Sequence, residues 1–137
     1  KNAEKEIERL RNKLISGNID SLLANALEIK GVKVVTAHLE QLDMEALRNT
    51  GDLIRNRLGS GVVVLASSHE GKVSFVAMAT KDVVQKGIHS GNIVKEAAKV
   101  TGGGGGGRPD MAQAGGKDAS RIDEALKSAV KVIESQL

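Results

Sequence analysis

The sequence predicts an α/β fold of the mixed α+β kind: an N-terminal helical arm, then a mixed β-sheet with helices packed on it. Three observations carry this. Val32 to Leu39 (VKVVTAHL) is β-branched and apolar, as a strand requires. Gly61 to Ala66 (GVVVLA) is a continuous apolar run, the pattern of a strand covered on both faces. The stretches between and after these runs carry apolar residues at helical spacing.

Taken in order, residues 2–16 read as an amphipathic helix, with Ala3, Ile7, Leu10 and Leu14 on one stripe. That seam covers about two heptads, too short to stand alone in water, so it needs a partner. The partner is either its own domain or, if the stripe ends a longer coiled coil, a second subunit. Gly17-Asn18 ends this helix. A second helix is expected from about Ile19 to Ile29, closed by Lys30-Gly31. Residues 1–29 are thus expected to form the arm and residues 30–137 a globular domain. His38, in or at the end of the first strand, reads as a hydrogen-bonded structural residue. Asp43 is placed to cap a helix with Met44, Leu47, Gly51, Ile54 and Leu58 at helical spacing, stopped by Gly59. Arg48, Arg55 and Arg57 occupy its polar positions, where they could touch a polyanion, though ordinary solvation explains them as well.

After the Gly61–Ala66 strand, Ser67 to Gly71 is a short connection and Val73 to Ala79 (VSFVAMA) a second strand, so the two should pair as an antiparallel hairpin. Lys81 to His89 gives a weak pattern. Ser90-Gly91-Asn92 can cap a helix with Ile93, Val94, Ala97, Ala98 and Val100 inward. A last helix, capped by Asp118 or Ser120, places Ile122, Leu126, Ala129, Ile133 and Leu137 on one face.

Composition narrows the chemistry. Phe75 is the only aromatic residue in 137, so the core is aliphatic and there is no platform on which to stack splayed bases. No cysteine means no disulfide, thiolate nucleophile or Cys-type zinc site. Three scattered histidines and no Asp/Glu cluster at ligand spacing point to no catalytic or metal site. No apolar run is long enough to span a membrane and no signal peptide is present, which makes a cytoplasmic setting the expectation. The first residue is Lys1, so the chain reads as part of a longer protein.

Between the last two helices lies the least ordinary stretch: six glycines, Gly102 to Gly107, then Arg108-Pro109-Asp110-Met111-Ala112-Gln113-Ala114-Gly115-Gly116-Lys117. A bare glycine run also suits a flexible linker. Arg-Pro-Asp, followed by an apolar piece closed by Gly-Gly, is turn chemistry with a short strand, so the run is expected to be an ordered loop inside the domain. It fails the dinucleotide fingerprint, which must follow a strand and open a helix, and it fails the P-loop, because Asp118 stands where Ser or Thr belongs. What remains is general: glycine backbone can converge N–H groups on an anion, and Arg108 can fork onto a phosphate. Charge agrees. Residues 1–80 carry 11 Lys/Arg against 10 Asp/Glu, whereas 81–117 carry 6 against 3, so the net excess lies around the run. A solvated surface with a modest bias would give the same numbers.

Residues 93–100 (IVKEAAKV), the glycine run and Arg108 to Gly116 (RPDMAQAGG), with VKVV, GVVVLAS and KVSFVAMATKD upstream in order, resemble the C-terminal domain of bacterial alanyl-tRNA synthetases. That domain belongs to a wider group found beside DHH phosphoesterase domains, where a Gly-Gly-Gly-His-type motif helps bind substrate phosphate. Here Arg108 stands where that group often has His, and there is no DHH motif. The resemblance implies a module without its own catalytic centre that binds tRNA, helps one tRNA serve aminoacylation and editing, and works with the other domains of the synthetase. It implies that ATP and zinc belong to those other domains, leaving no cofactor here, and that the helical arm can contribute to a homodimer through Ala3, Ile7, Leu10 and Leu14. The expected tRNA contacts are the backbone of Gly103, Gly104, Gly105, Gly106 and Gly107, with Arg108, Lys117, Lys95 and Lys99. A dimerisation or tethering domain, and the substrate-binding domain of a nucleotide phosphoesterase, are the alternatives.

Overall fold

A computed structural model describes residues 23, 24, 26–40, 42–69 and 71–137. The expected helix over 2–16, with Ala3, Ile7, Leu10 and Leu14, lies outside the described residues. So does the first part of the expected helix over 19–29, while its end is overturned. Leu27–Ile29 is a strand, β1, antiparallel to β2 (Val32–Glu40) with Ile29 opposite Val32. Lys30 and Gly31, read as a helix stop, both have positive φ, 50° and 83°. That is the two-residue hairpin turn whose twist suits flanking strands.

Helix α1 (Met44–Leu58) carries the chain from β2 to the parallel strand β3 (Val62–His69). The Asp43 side chain accepts from the Ala46 N–H at 2.8 Å, and Gly59 closes the helix at φ 77°. β3 then turns tightly into β4 (Lys72–Ala79), antiparallel, with His69 opposite Lys72. The connection expected over Ser67–Gly71 is thus mostly strand. Helices α2 (Lys81–Gln85) and α3 (Ser90–Val100) follow, then strands β5 (Gly104–Gly107) and β6 (Met111–Gly116). A 3₁₀ turn at Ala119–Arg121, where Asp118 accepts from the Ser120 N–H, leads into α4 (Ile122–Gln136). Of the two expected caps, Asp118 holds the start of the 3₁₀ turn and Ser120 lies within it. The cap of α3 is also displaced: His89 holds it, its Nδ1 accepting from the Asn92 N–H at 3.2 Å, and Ser90 is already helical.

The six strands form one sheet in the order β1-β2-β3-β4-β6-β5. One face buries Val34, Val64, Phe75, Ala77 and Ala114 against Ile93 and Ala97 of α3 and Ala125, Ala129 and Ile133 of α4. The other buries Val35, Val63, Leu65, Val76 and Met78 against Leu47 and Ile54 of α1. β3 is buried on both faces through Ser67, as its unbroken apolar run requires. Among the described residues no helix is long and apolar enough to cross a membrane.

Candidate nucleic-acid interface

The glycine run is an edge strand, which corrects the expectation of a loop. Gly104 to Gly107 pair antiparallel with Gly115 to Ala112 of β6. Both ends of this hairpin are tied down. Gly102 turns the chain out of α3 at φ 76°, and the Gly102 and Gly103 N–H groups donate to the Lys99 and Ala98 carbonyls at 3.1 and 2.8 Å. These bonds satisfy carbonyls that a helix end otherwise leaves open. The buried Thr101 donates its hydroxyl to the Ala98 carbonyl, and its own carbonyl accepts from the Lys117 and Asp118 N–H groups at 2.9 and 3.0 Å. At the opposite end the Arg108 N–H donates to the Met111 carbonyl at 3.0 Å. The Pro109 and Asp110 carbonyls accept from the Ser90 and Ala79 N–H groups, each at 2.9 Å.

The glycines of the hairpin fall into two sets. A Cβ on Gly105 would meet the Ala114 Cα at 2.5 Å, and one on Gly107 the Ala112 Cα at 2.8 Å. On Gly103 and Gly116 it would collide with the Gly115 carbonyl oxygen and the Thr101 hydroxyl, and on Gly91 of α3 it would lie 2.6 Å from the Gly107 oxygen. This set lies on the face toward α3 and is required by close backbone packing. At Gly104 and Gly106 a Cβ would meet nothing within 4 Å, and at Gly115 only ordinary contact with the Val73 oxygen at 3.5 Å. None of these three has positive φ. Glycine within a strand costs about 0.5–1 kcal/mol relative to alanine. Gly104 and Gly106 therefore cost the fold about 1–2 kcal/mol that its own packing does not require.

The expected contact residues do not gather into one pocket. Arg108 is exposed at the tip of the anchored turn, and Lys117 is exposed at the other end of the hairpin. Six strand residues separate the two ends, about 20 Å at strand rise. Lys95 and Lys99 are exposed on α3, and Lys99 is bonded to Glu96 at 3.2 Å. Arg108, Lys117 and Lys95 have no ion-pair partner among the described residues. The arrangement is a basic rim around an edge strand.

Composition and spacing did not single out Gln113. It stands between Val76 and Gly106 on the same face as Gly104 and Gly115, and its Oε1 is enclosed without a hydrogen-bond partner. An enclosed acceptor left unpaired costs about 1–3 kcal/mol. The Ser90 hydroxyl, at the start of α3, is another such atom. Elsewhere, the Ser60 hydroxyl and then the Thr80 hydroxyl donate to Asp82 and hold its carboxyl below the ordinary 3.8. His38 Nδ1 lies 3.8 Å from Asp123 Oδ1, beyond hydrogen-bond length. Among the described residues no three His, Asp or Glu groups stand where they would hold a metal ion.

A six-stranded mixed sheet with an edge strand of glycine and a basic rim defines the class, and the chain belongs to the DHHA1 domain family, whose model matches residues 31–135. It is 76% identical over all 137 residues to the alanine–tRNA ligase of Acetivibrio thermocellus, and it spans 16% of that protein's length. The C-Ala domain of Aquifex aeolicus alanyl-tRNA synthetase, a crystal structure, superposes with a TM-score of 0.73 at 32% identity, over 80% of this chain and 98% of that one. RecJ of Thermus thermophilus shares the fold at a TM-score of 0.60 and 16% identity, over 97% of this chain and 20% of its own.

Proposed function

We propose that this chain is the tRNA-binding module of an alanine–tRNA ligase, one that docks on the tRNA body and helps a single tRNA serve aminoacylation and editing. The observation that carries the reading is Arg108: a guanidinium with no ion-pair partner among the described residues, exposed at the tip of a turn fixed by three backbone hydrogen bonds. A guanidinium carried on a fixed turn can offer its fork to phosphate. The absence of aromatic platforms agrees with recognition of folded RNA by shape and phosphate contacts. The likeness to alanine–tRNA ligases and to a C-Ala domain supports the same partner. In this reading the chain carries no catalytic group, ATP and zinc are handled by other parts of the ligase, and the setting is cytoplasmic.

The test is a tRNA titration of the chain and its Arg108→Ala variant at two salt concentrations. Loss of one phosphate contact should weaken binding and make the slope of log K against log salt shallower by about 0.7–1. Equal affinity and slope in a folded variant would remove Arg108 from the interface.

A further inference from the structure

The packing of the domain explains why Gly103, Gly105, Gly107 and Gly116 are glycine and leaves Gly104 and Gly106 without an internal reason. Both lie on the face of the sheet that carries α1, but α1 lies over β3 and β4. Among the described residues no helix covers that face at β5 or at Gly115, and Gly104, Gly106 and Gly115 are exposed. The small surface continues inward, since Gly104, Gly115 and Ser74 stand in one row across β5, β6 and β4.

Three arginines stand along the border of this face. Gly51 is the point at which α1 presses on β4, so close that a Cβ there would lie 3.1 Å from the Met78 side chain. Arg57, by contrast, lines a hollow with Leu27, Glu28 and Lys33 of β1 and β2. The Gly51 flank of α1 therefore looks toward β6, and Arg48 and Arg55, three residues before Gly51 and four after, share that flank. Arg48 is exposed with no ion-pair partner among the described residues, and Arg55 is bonded to Asp52 at 3.0 Å. Arg108 closes the same surface at the hairpin tip.

We propose that this open face is the surface on which the sugar–phosphate backbone of tRNA lies, with Gly104, Gly106 and Gly115 as its floor, Gln113 within it, and Arg48, Arg55 and Arg108 along its border. It rests on the tRNA-binding reading above and names the surface. A floor without side chains brings ribose and phosphate against the peptide planes, which any Cβ would hold off. The cations match the charge of the strand, and the Gln113 NH2 group, the end of the amide that is not enclosed, donates to a ribose hydroxyl oxygen. Asp52, engaged by Arg55, and Glu45, seven residues before it, are carboxylates on this flank of the helix, and Asp110 stands two residues from Arg108 at the hairpin tip.

The test uses the chain with Gly106→Val, Gly104→Val, Arg48→Ala or Arg108→Ala, titrated with a transcribed alanine tRNA at two salt concentrations, with thermal midpoints and sedimentation in parallel. Gly106→Val and Gly104→Val should keep or raise the midpoint, since the added side chain meets open space, while weakening tRNA binding by about tenfold or more. Arg48→Ala should bind more weakly with a salt slope shallower by about 0.7–1. If the valine variants and Arg48→Ala bind like the parent while Arg108→Ala is impaired, the surface is wrong and the tRNA reading stands. If the parent does not bind tRNA, both fall together. If a valine variant dissociates a self-associated form and leaves tRNA binding intact, the face is a protein contact and the proposal is overturned. Should the valine variants fail to fold, Arg48→Ala decides, because it truncates an exposed side chain.

Discussion

Gly105→Ala and Gly106→Ala, adjacent in one strand, should move stability in opposite directions. At Gly105 the new Cβ would lie 2.5 Å from the Ala114 Cα and 2.8 Å from the Gln113 oxygen, both backbone atoms that cannot rotate away. β5 must shift off β6 or the hairpin must part. Overpacking of this kind costs about 1–3 kcal/mol. Detachment sets a ceiling of similar size. Four registered pairs supply a few backbone hydrogen bonds at about 1 kcal/mol each, and the freed residues regain about 1–2 kcal/mol apiece in entropy. At Gly106 the Cβ meets open space at an unstrained φ, so alanine should stabilise by about 0.4–1 kcal/mol through the unfolded chain. The two midpoints in urea should therefore lie on either side of the parent, with unfolding free energies about 1.5–4 kcal/mol apart. Hydrogen exchange should place the Gly105 effect in β5 and β6. Equal stability of the two variants, or destabilisation by Gly106→Ala, would refute the assignment of glycines to faces.

Two further outcomes follow from the bonds at other positions. Asp43→Ala removes the acceptor for the Ala46 N–H and should cost about 1 kcal/mol by urea denaturation, with tRNA affinity unchanged. The carboxyl of Asp82 is held below its ordinary value by the Ser60 and Thr80 hydroxyls, so its contribution is present above pH about 4 and is lost as pH falls through the lower folded value. Asp82→Asn should therefore lose less thermal stability than the parent between pH 5 and pH 3, and parallel pH profiles would exclude the role.

Much of the fold was legible because burial dictates residue type in its central elements. The GVVVLA run has apolar neighbours on both faces, and Asp43 and Gly59 bracket α1 by local backbone chemistry that no distant contact alters. The misread elements are those whose local signal is shared by two structures. Lys30-Gly31 ends a helix as well as it turns a hairpin, and Leu27–Ile29 fits either. Glycine has no preference for strands, so β5 exists by tertiary packing: β6 on its inner side and α3 above it. Its division into packed and open faces has period two, and a homopolymer cannot display a period. Ser90 and Asn92 are commoner caps than His89, and the fold decides between them by tying the Ser90 N–H to Pro109.

Charge counted along the chain and charge counted by face give different interfaces. The excess in residues 81–117 includes Arg108, Lys117, Lys95 and Lys99, yet Lys95 and Lys99 ride on α3, on the side of the sheet opposite α1. Residues 1–80 balance almost to zero, and Arg48 and Arg55 read there as a solvated helix face; Asp52 pairs with Arg55, whereas Arg48 has no ion-pair partner among the described residues. A phosphate responds to charges within about one Debye length, about 8–10 Å at moderate salt, so placement relative to the glycine strand governs binding. Were the interface on the α3 side, Lys95→Ala would weaken tRNA binding more than Arg48→Ala. On the open face the order reverses, and that order, unlike the total charge, separates the two.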